Sequence, residues 1–330
     1  SRQDEIAYLA ELESQAGDND IDVIPDKRLE MIFTCCHPAL AEKTRVALTL
    51  RTLGGLTTEE IAHAFLDKPD AMAQRLVQAK KKISLAGIPY RIPEAEILPE
   101  RTASVLSVIY LIFNEGYAAT AGDRLIRTDL IEEAIRLARI VRQLMPDDTE
   151  AGGLLALMLL HDARRIARTG KRGELVPLER QNRARWDKAK IADGAAILGQ
   201  VLAQQQPGPY QLQAAISALH AQSPSWQATD WSQIEALYHL LYAIQPSPVI
   251  RINQAVAVSY ARSPEAALAM LDEAASGGSL DAYQPYFAAR ADVLARAGRT
   301  QEARKHFATA INLSDNALEK TFLRDKAASL

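Results

Sequence analysis

Apolar residues recur every three or four positions along most of this chain, which is the spacing of one face of an amphipathic helix. The pattern is clearest at Leu130–Met145 and in two similar hairpins, Val249–Glu273 and Tyr286–Ile311. Glycine and proline residues separate many of these helical stretches, as expected for turns. The pattern therefore predicts an all-α fold, in which a small N-terminal domain precedes a large body of helical repeats.

One stretch, Leu48–Lys82, predicts two short helices joined by a tight turn. Thr57 or Thr58 can cap the first of these helices, and Glu60 stands where a capping box places its acidic residue. Pro69 suits the first turn of the second helix, where a missing N–H group costs nothing. This is the layout of a helix-turn-helix, whose second helix enters the major groove of DNA.

The second helix has two different faces. Residues predicted to face the core are Met72, Leu76, Ala79 and Ile83. Residues predicted to face a DNA groove are Ala73, Gln74, Val77 and Gln78. Residues placed to meet phosphates are Arg75, Lys80, Lys81 and Lys82. Glutamine pairs well with adenine edges and valine packs on a thymine methyl group, so this face could read bases. The alternative is an ordinary helical hairpin with a solvated basic end.

The run PDKRLEMIFTCCHPALAEKTRVALTLRTLGGLTTEEIAHAFL, followed by MAQRLVQAKKKI, resembles region 4 of extracytoplasmic-function RNA polymerase sigma factors. It is most similar to the subgroup with a long C-terminal extension of tetratricopeptide-like repeats. The resemblance continues through IYLIFNEGY, LALMLLHDARR and GPYQLQAAISALHA, and so covers nearly the whole chain from about Asp26. It implies binding to the −35 promoter element and to the flap of the polymerase β subunit. It also places Ala73, Gln74, Val77 and Gln78 at base-reading positions, with Arg75 and Lys80 on the backbone side.

Composition divides the chain into four parts. Residues 1–25 are expected to form an acidic linker, and residues 26–86 the helix-turn-helix domain. Residues 87–99 contain three prolines and are expected to be the connector at the domain boundary. Residues 100–330 are expected to be helical, with tetratricopeptide-like repeats near 249–311. Region 2 of a sigma factor is expected to be absent from this chain, which would then be a C-terminal fragment.

The net charge of −3 argues against a protein that coats nucleic acid, so any DNA contact must be a local patch such as Lys80–Lys82. Cys35 and Cys36 are adjacent and cannot build a disulfide framework, which fits a reducing cytoplasm. With His37 they suggest a metal site, but no further ligands lie nearby in sequence, and core packing is the default. No apolar run approaches the length of a membrane span. We therefore expect no metal, no cofactor and no membrane partner.

Polar residues within the helical body could form a regulatory pocket. The candidates are Asn114, Glu115, His161, Asp162, Arg185, Trp186 and Asp187. Acidic, histidine and arginine side chains can perform general acid–base chemistry. However, the chain shows no nucleophile motif and no glycine-rich phosphate loop, so we expect no enzyme. Helix caps and buried ion pairs between helices are the alternative explanation of these residues.

These observations lead to two main hypotheses about function, and an enzyme housed in the helical body is a third. In the first, the chain is the promoter-reading, polymerase-binding part of a cytoplasmic sigma factor, and the helical extension regulates it in cis. Its partners would be promoter DNA, core RNA polymerase, and its own C-terminal domain or a regulatory protein. In the second, it is a stand-alone helix-turn-helix transcription regulator whose helical-repeat body senses a ligand or a protein.

Overall fold

The computed structural model describes residues 25–330, apart from 66, 118–125, 172–173, 279 and 315. Within these described residues the regular structure is helical, and an isolated bridge pairs Thr169 with Leu175. The prediction of an all-α fold is confirmed. None of the described helices is both long enough and apolar enough to cross a bilayer. The linker predicted at 1–25 lies almost entirely outside the described residues.

The chain separates into two compact units, of which the first comprises, among the described residues, 25–117 and 126–151. Its helices are α1 (Pro25–Cys35), α2 (Glu42–Thr52), α3 (Thr58–Ala64), α4 (Pro69–Leu85), α5 (Leu98–Tyr117) and α6 (Thr128–Leu144). The compact units do not divide at the predicted connector, 87–99, because α5 packs on α1 and α2, and α6 packs on α1. The first unit is therefore larger than the predicted helix-turn-helix domain.

Hydrogen bonds fix α5 to the start of this unit. The buried Arg101 guanidinium donates to the carbonyl oxygen of Phe33 at 2.7 Å. The Ser104 hydroxyl donates to the carbonyl oxygen of Cys36 at 2.7 Å and accepts from Arg45 at 2.6 Å. These bonds satisfy carbonyl groups near the C-terminus of α1, which lack partners inside their own helix.

Gly116 allows α5 and α6 to approach closely. The N–H of Arg127 donates to the carbonyl oxygen of Gly116 at 2.7 Å. A Cβ atom at position 116 would lie 2.8 Å from the backbone nitrogen of Ile131, which is closer than real Cβ contacts allow. The glycine of the NEGY sequence is thus required by this helix crossing, and a larger side chain there would separate the two helices.

The second unit comprises the described residues of 152–330. Its helices are α7 (Thr149–Asp162), which begins in the first unit, α8 (Lys188–Leu202), α9 (Pro209–Gln222), α10 (Trp231–Ile244), α11 (Pro248–Ala261), α12 (Pro264–Ala275), α13 (Gln284–Arg296), α14 (Thr300–Leu313) and α15 (Ala317–Ala328). Each helix from α8 onward packs on the next one along the chain. The two predicted hairpins are confirmed as α11–α12 and α13–α14, and Gly298 lies in the second turn with φ +74°.

Aromatic rings from α9, the loop after it, α10 and α11 pack together in this unit. His220 stacks on Trp226 and lies edge-on to Trp231, with ring centroids 5.8 and 5.2 Å apart. Tyr260 stacks on Trp231 at 4.2 Å. Burial lowers the pKa of His220 to about 4, and the neighbouring arginines add to this effect. The folded unit therefore holds this imidazole neutral under conditions in which an unfolded chain would protonate it.

This pKa shift makes stability depend on pH. A histidine whose folded pKa lies below its unfolded value of about 6.5 loses stability as pH falls from 6.5 towards 4, because only the unfolded chain gains the proton. His220→Phe keeps a ring against the tryptophans but cannot titrate. Between pH 7 and pH 4 we expect the free energy of unfolding of the parent chain to fall by up to ~3 kcal/mol more than that of the His220→Phe variant. Urea titrations at several pH values measure this difference, and parallel pH profiles would contradict it.

Candidate nucleic-acid interface

A reciprocal capping box begins the first helix of the helix-turn-helix, α3. The N–H of Glu60 donates to the Thr57 hydroxyl at 3.1 Å, and the N–H of Thr57 donates to the Glu60 carboxylate at 2.7 Å. Two backbone donors that helix geometry leaves free are satisfied in this way. The predicted cap is confirmed, with Thr57 rather than Thr58 as the capping residue. Ile61 and Ala62 then lie fully buried on the inner face of α3.

The turn before α3 depends on two glycines. Gly55 has φ +68°, a conformation that most side chains disfavour. A Cβ atom at Gly54 would lie 2.7 Å from the carbonyl oxygen of Leu50. The Arg51 guanidinium donates to the carbonyl oxygen of Leu56 at 2.9 Å and closes the turn. These contacts fix the direction in which the chain enters the helix-turn-helix.

An ion pair holds the turn between α3 and α4. The Arg75 guanidinium lies 2.7 Å from the Asp67 carboxylate, and this hydrogen bond lowers the pKa of Asp67. Asp67 also accepts from the N–H of Lys68, which is the N-cap position of α4, and Pro69 follows in the first turn as predicted. Arg75 is thus engaged with its own turn, and its contact with phosphate stays a prediction.

The helix that follows, α4, presents the predicted exposed ridge. Its core-facing side chains are Met72, Leu76 and Ala79, which are buried. Its exposed side chains include the four base-reading candidates, Ala73, Gln74, Val77 and Gln78. Val77 leaves 65% of its surface in water. A valine exposed to this extent between two glutamines suits a helix that gains its remaining contacts from a DNA groove.

Basic residues end the same helix. Lys81 and Lys82 are exposed, whereas Lys80 is partly buried. Their position in the last turns of α4 is favoured by the partial negative charge at a helix C-terminus. An exposed ridge followed by two exposed lysines can enter a groove while the ammonium groups contact the phosphates beside it.

The cysteines belong to the core of the same unit. Cys35 and Cys36 are free thiols and are buried, and the Cys36 sulfur lies 3.5 Å from the Thr49 hydroxyl oxygen. Burial raises the pKa of the Cys36 thiol to about 11, and burial also raises the pKa of Cys35. Both sulfurs are therefore protonated and unreactive near neutral pH. Among the described residues, no group of three or more histidine, cysteine or acidic side chains could hold a metal ion.

The predicted regulatory-pocket residues of the second unit take part in ion pairing and capping. Asp162 is buried, accepts a hydrogen bond from Lys190 at 2.6 Å, and forms an ion pair with the Arg165 guanidinium, which lies 3.2 Å from its carboxylate. Asp187 caps α8 by accepting from the N–H groups of Ala189 and Lys190. The alternative explanation, helix caps and buried ion pairs, therefore accounts for both acidic residues.

The other candidates have separate surroundings. His161 lies 3.0 Å from the Ser217 hydroxyl, and burial lowers its pKa well below the usual value. Trp186 is buried, and the Arg183 guanidinium carbon lies 4.5 Å from the centroid of its indole ring. Arg185 is exposed. The remaining two candidates, Asn114 and Glu115, lie on α5 of the first unit. A pocket formed by all seven residues stays a prediction.

Comparisons with known proteins identify families for two parts of this chain. Residues 30–83, from α1 through most of α4, match the family described as Sigma-70, region 4. Residues 101–202, from α5 to the end of α8, match a family of unknown function (DUF6596). The chain is 44% identical over 299 residues to the uncharacterized protein R00370 of Rhizobium meliloti (strain 1021), covering 91% of this chain and 70% of that protein. No solved structure matches the chain.

The fold, the exposed ridge and the family match thus define a helical protein with an N-terminal sigma-70 region 4 domain. The presence of this domain supports the identification of the chain as a factor of the sigma-70 family. The chain belongs to the same family as R00370. The region 4 match supports DNA binding and promoter recognition by the helix-turn-helix. The sequence-based prediction of a region 4 domain followed by a helical domain is confirmed.

Proposed function

We propose that this chain is the promoter-reading and polymerase-binding part of a cytoplasmic sigma factor of the extracytoplasmic-function type. The observation that carries the proposal is the exposed ridge of α4, from Ala73 to Gln78, on a helix-turn-helix that matches sigma-70 region 4. The ridge reads the −35 element and the lysines beside it contact phosphates. Polymerase performs the chemistry, and region 4 attaches to the flap of its β subunit.

The helical extension regulates region 4 in cis. Two observations support this part of the proposal. The first hairpin of the extension, α5–α6, is packed on α1 and α2, so region 4 and the extension are structurally coupled within one unit. The hairpins α11–α12 and α13–α14 lie where the sequence predicts tetratricopeptide-like repeats, and repeats of that kind present surfaces for proteins or peptides.

Capture of core RNA polymerase tests this function. The whole chain is compared with a version that ends after Asp148, which keeps α5 and α6 on region 4 and removes the second unit. Binding by both forms would show that the second unit permits polymerase binding, and binding by the short form alone would show that it inhibits. If neither form captures polymerase while the short form still binds DNA, the sigma-factor proposal fails. The stand-alone regulator would then take its place.

A further inference from the structure

The backbone between α2 and α3 makes the turn that leads into the helix-turn-helix. The N–H of Gly54 donates to the carbonyl oxygen of Thr49 at 3.2 Å. The N–H of Leu56 donates to the carbonyl oxygen of Leu50, also at 3.2 Å. Leu53, at the start of this turn, is the C-cap of α2. Carbonyl groups at the end of a helix find no donor within that helix, so the Leu53 carbonyl is open to a donor from elsewhere in the protein.

That donor comes from α6, in the first hairpin of the extension. The Arg136 guanidinium donates through Nη2 to the Leu53 carbonyl oxygen at 2.5 Å, across a separation of 83 residues. The same guanidinium donates to both carboxylate oxygens of Glu133, at 2.8 Å from Nε and 2.7 Å from Nη2. The hydrogen bonds to Glu133 raise the pKa of Arg136, and their two-pronged geometry fixes the direction of the guanidinium.

Glu133 lies against the same turn. Its side chain is 10% exposed, compared with 48% for Arg136. A Cβ atom at Gly54 would lie 3.1 Å from Oε1 of Glu133, so the carboxylate lies directly beside the backbone of this glycine. Two residues of α6 that are one helical turn apart therefore contact two consecutive residues of the turn. We call Glu133 and Arg136 the clamp.

The clamp is better placed to affect orientation than stability. An ion pair with one half-exposed partner contributes little to the stability of a folded protein. Binding groups, however, must be held within about 0.5 Å and 10–20° of their productive positions by the hydrogen bonds behind them. The clamped turn carries α3, and α3 packs on α4, so a change of direction at the turn is transmitted to the exposed ridge.

We propose that Glu133 and Arg136 are positioning residues, which hold the helix-turn-helix in its DNA-binding orientation. The extension thereby takes part in DNA binding without touching DNA. This inference rests on the proposed promoter recognition by α4. Without the clamp the turn adopts further orientations, and the affinity for DNA falls in proportion to the fraction of molecules that keep the binding orientation.

Hydrogen exchange tests the clamp in the absence of DNA. Arg136→Met removes every donor of the clamp and keeps most of the apolar stem. Arg139→Met removes an exposed arginine from the next turn of α6 and is the matched control. We expect the N–H groups of Gly54 and Leu56 to exchange at least threefold faster in Arg136→Met than in the parent chain, and at the parent rate in Arg139→Met. Equal exchange in Arg136→Met and the parent overturns the proposal.

DNA binding is measured with a duplex that the parent chain selects from a randomised library. We expect Arg136→Met to bind this duplex about three- to tenfold more weakly, with an unchanged slope of log K against log salt and an unchanged thermal unfolding curve. A slope less steep by about 0.9 would mean that Arg136 contacts a phosphate. That result, or an unchanged affinity, overturns the proposal. If the parent chain selects no duplex, the proposed DNA-binding function itself fails.

Arg136→Lys covers the case in which Arg136→Met does not fold. Lysine keeps the positive charge and a donor, but it cannot make the two-pronged bond that directs the guanidinium. We expect a loss of affinity of about twofold, between those of the parent chain and Arg136→Met, and faster exchange at Gly54 and Leu56. If Arg136→Met unfolds while Arg136→Lys matches the parent chain in exchange and affinity, Arg136 has a purely structural role and the proposal is wrong.

Discussion

Gln74→Ala is expected to change the preference of this protein for one or two base pairs of its DNA site, with little effect on its binding to unrelated DNA. The Gln74 side chain lies on the exposed ridge of α4, where a bidentate contact to one base contributes about 1–3 kcal/mol of discrimination. Selection from a randomised duplex library measures the change in preference. A variant that weakens binding equally at every sequence would show that Gln74 does not face base edges.

Changing both Lys81 and Lys82 to alanine is expected to lower the affinity for DNA without changing the base preference. Both ammonium groups are exposed at the end of α4, so their loss removes phosphate contacts and weakens binding to all duplexes. Each lost contact makes the slope of log K against log salt less steep by about 0.9. The loss of two contacts lowers the affinity by roughly 10- to 60-fold near 0.1 M salt. Titrations at four salt concentrations measure the slope.

A matched control separates this effect from a general loss of positive charge. Lys305→Ala removes an exposed lysine from α14 in the second unit. It should leave both the slope and the base preference unchanged. If Gln74→Ala and the double lysine variant behave alike, α4 is not the groove-reading helix.

Local sequence signals were sufficient to predict the DNA-reading element. The Thr57–Glu60 capping box, Pro69 in the first turn of α4 and the alternation of buried Met72 and Leu76 with the exposed ridge all involve residues a few positions apart. Interactions over such short separations are encoded in helical period and capping rules.

The coupling of α5 to region 4 could not be predicted in this way. Its main bonds join Arg101 to Phe33 and Ser104 to Cys36, which are 68 residues apart in each case. The prolines of residues 87–99 indicated a domain boundary. Composition is a local signal, however, and cannot show that α5 packs on α1 and α2. A signal was nevertheless present in Gly116, since a glycine inside an apolar helix often marks a close approach of another element.

The end of α7 was placed too late. Residues up to Thr169 continue the helical pattern of α7 in the sequence, and the loop that follows was expected from Gly170, but the helix ends at Asp162. Asp162 and Lys190 pair at 2.6 Å across the junction of α7 and α8. A contact between residues so far apart in the sequence has no local signature, so the pattern alone did not locate this helix end.

Ending the chain after Pro93 is expected to destabilise region 4 much more than ending it after Asp148. The shorter fragment lacks α5 and α6, and therefore exposes the apolar faces of α1 and α2 on which they pack. It also removes the donors to the carbonyl groups of Phe33 and Cys36. A lost donor to a buried group costs about 1–3 kcal/mol, and each kilocalorie lowers Tm by about 4–8 °C in a domain of this size. Thermal unfolding followed by circular dichroism should show a Tm at least ~10 °C lower.

Arg101→Met in the whole chain tests the same packing without truncation. The side chain keeps most of its apolar stem but cannot donate to the carbonyl oxygen of Phe33, so we expect a loss of about 1–3 kcal/mol. Arg91→Met removes an exposed arginine paired with Glu94 and should cost less than ~1 kcal/mol. If Arg101→Met and Arg91→Met are equally stable, and both fragments unfold at one temperature, region 4 folds without α5. The boundary between region 4 and the extension then lies at the proline-rich connector, as composition alone suggests.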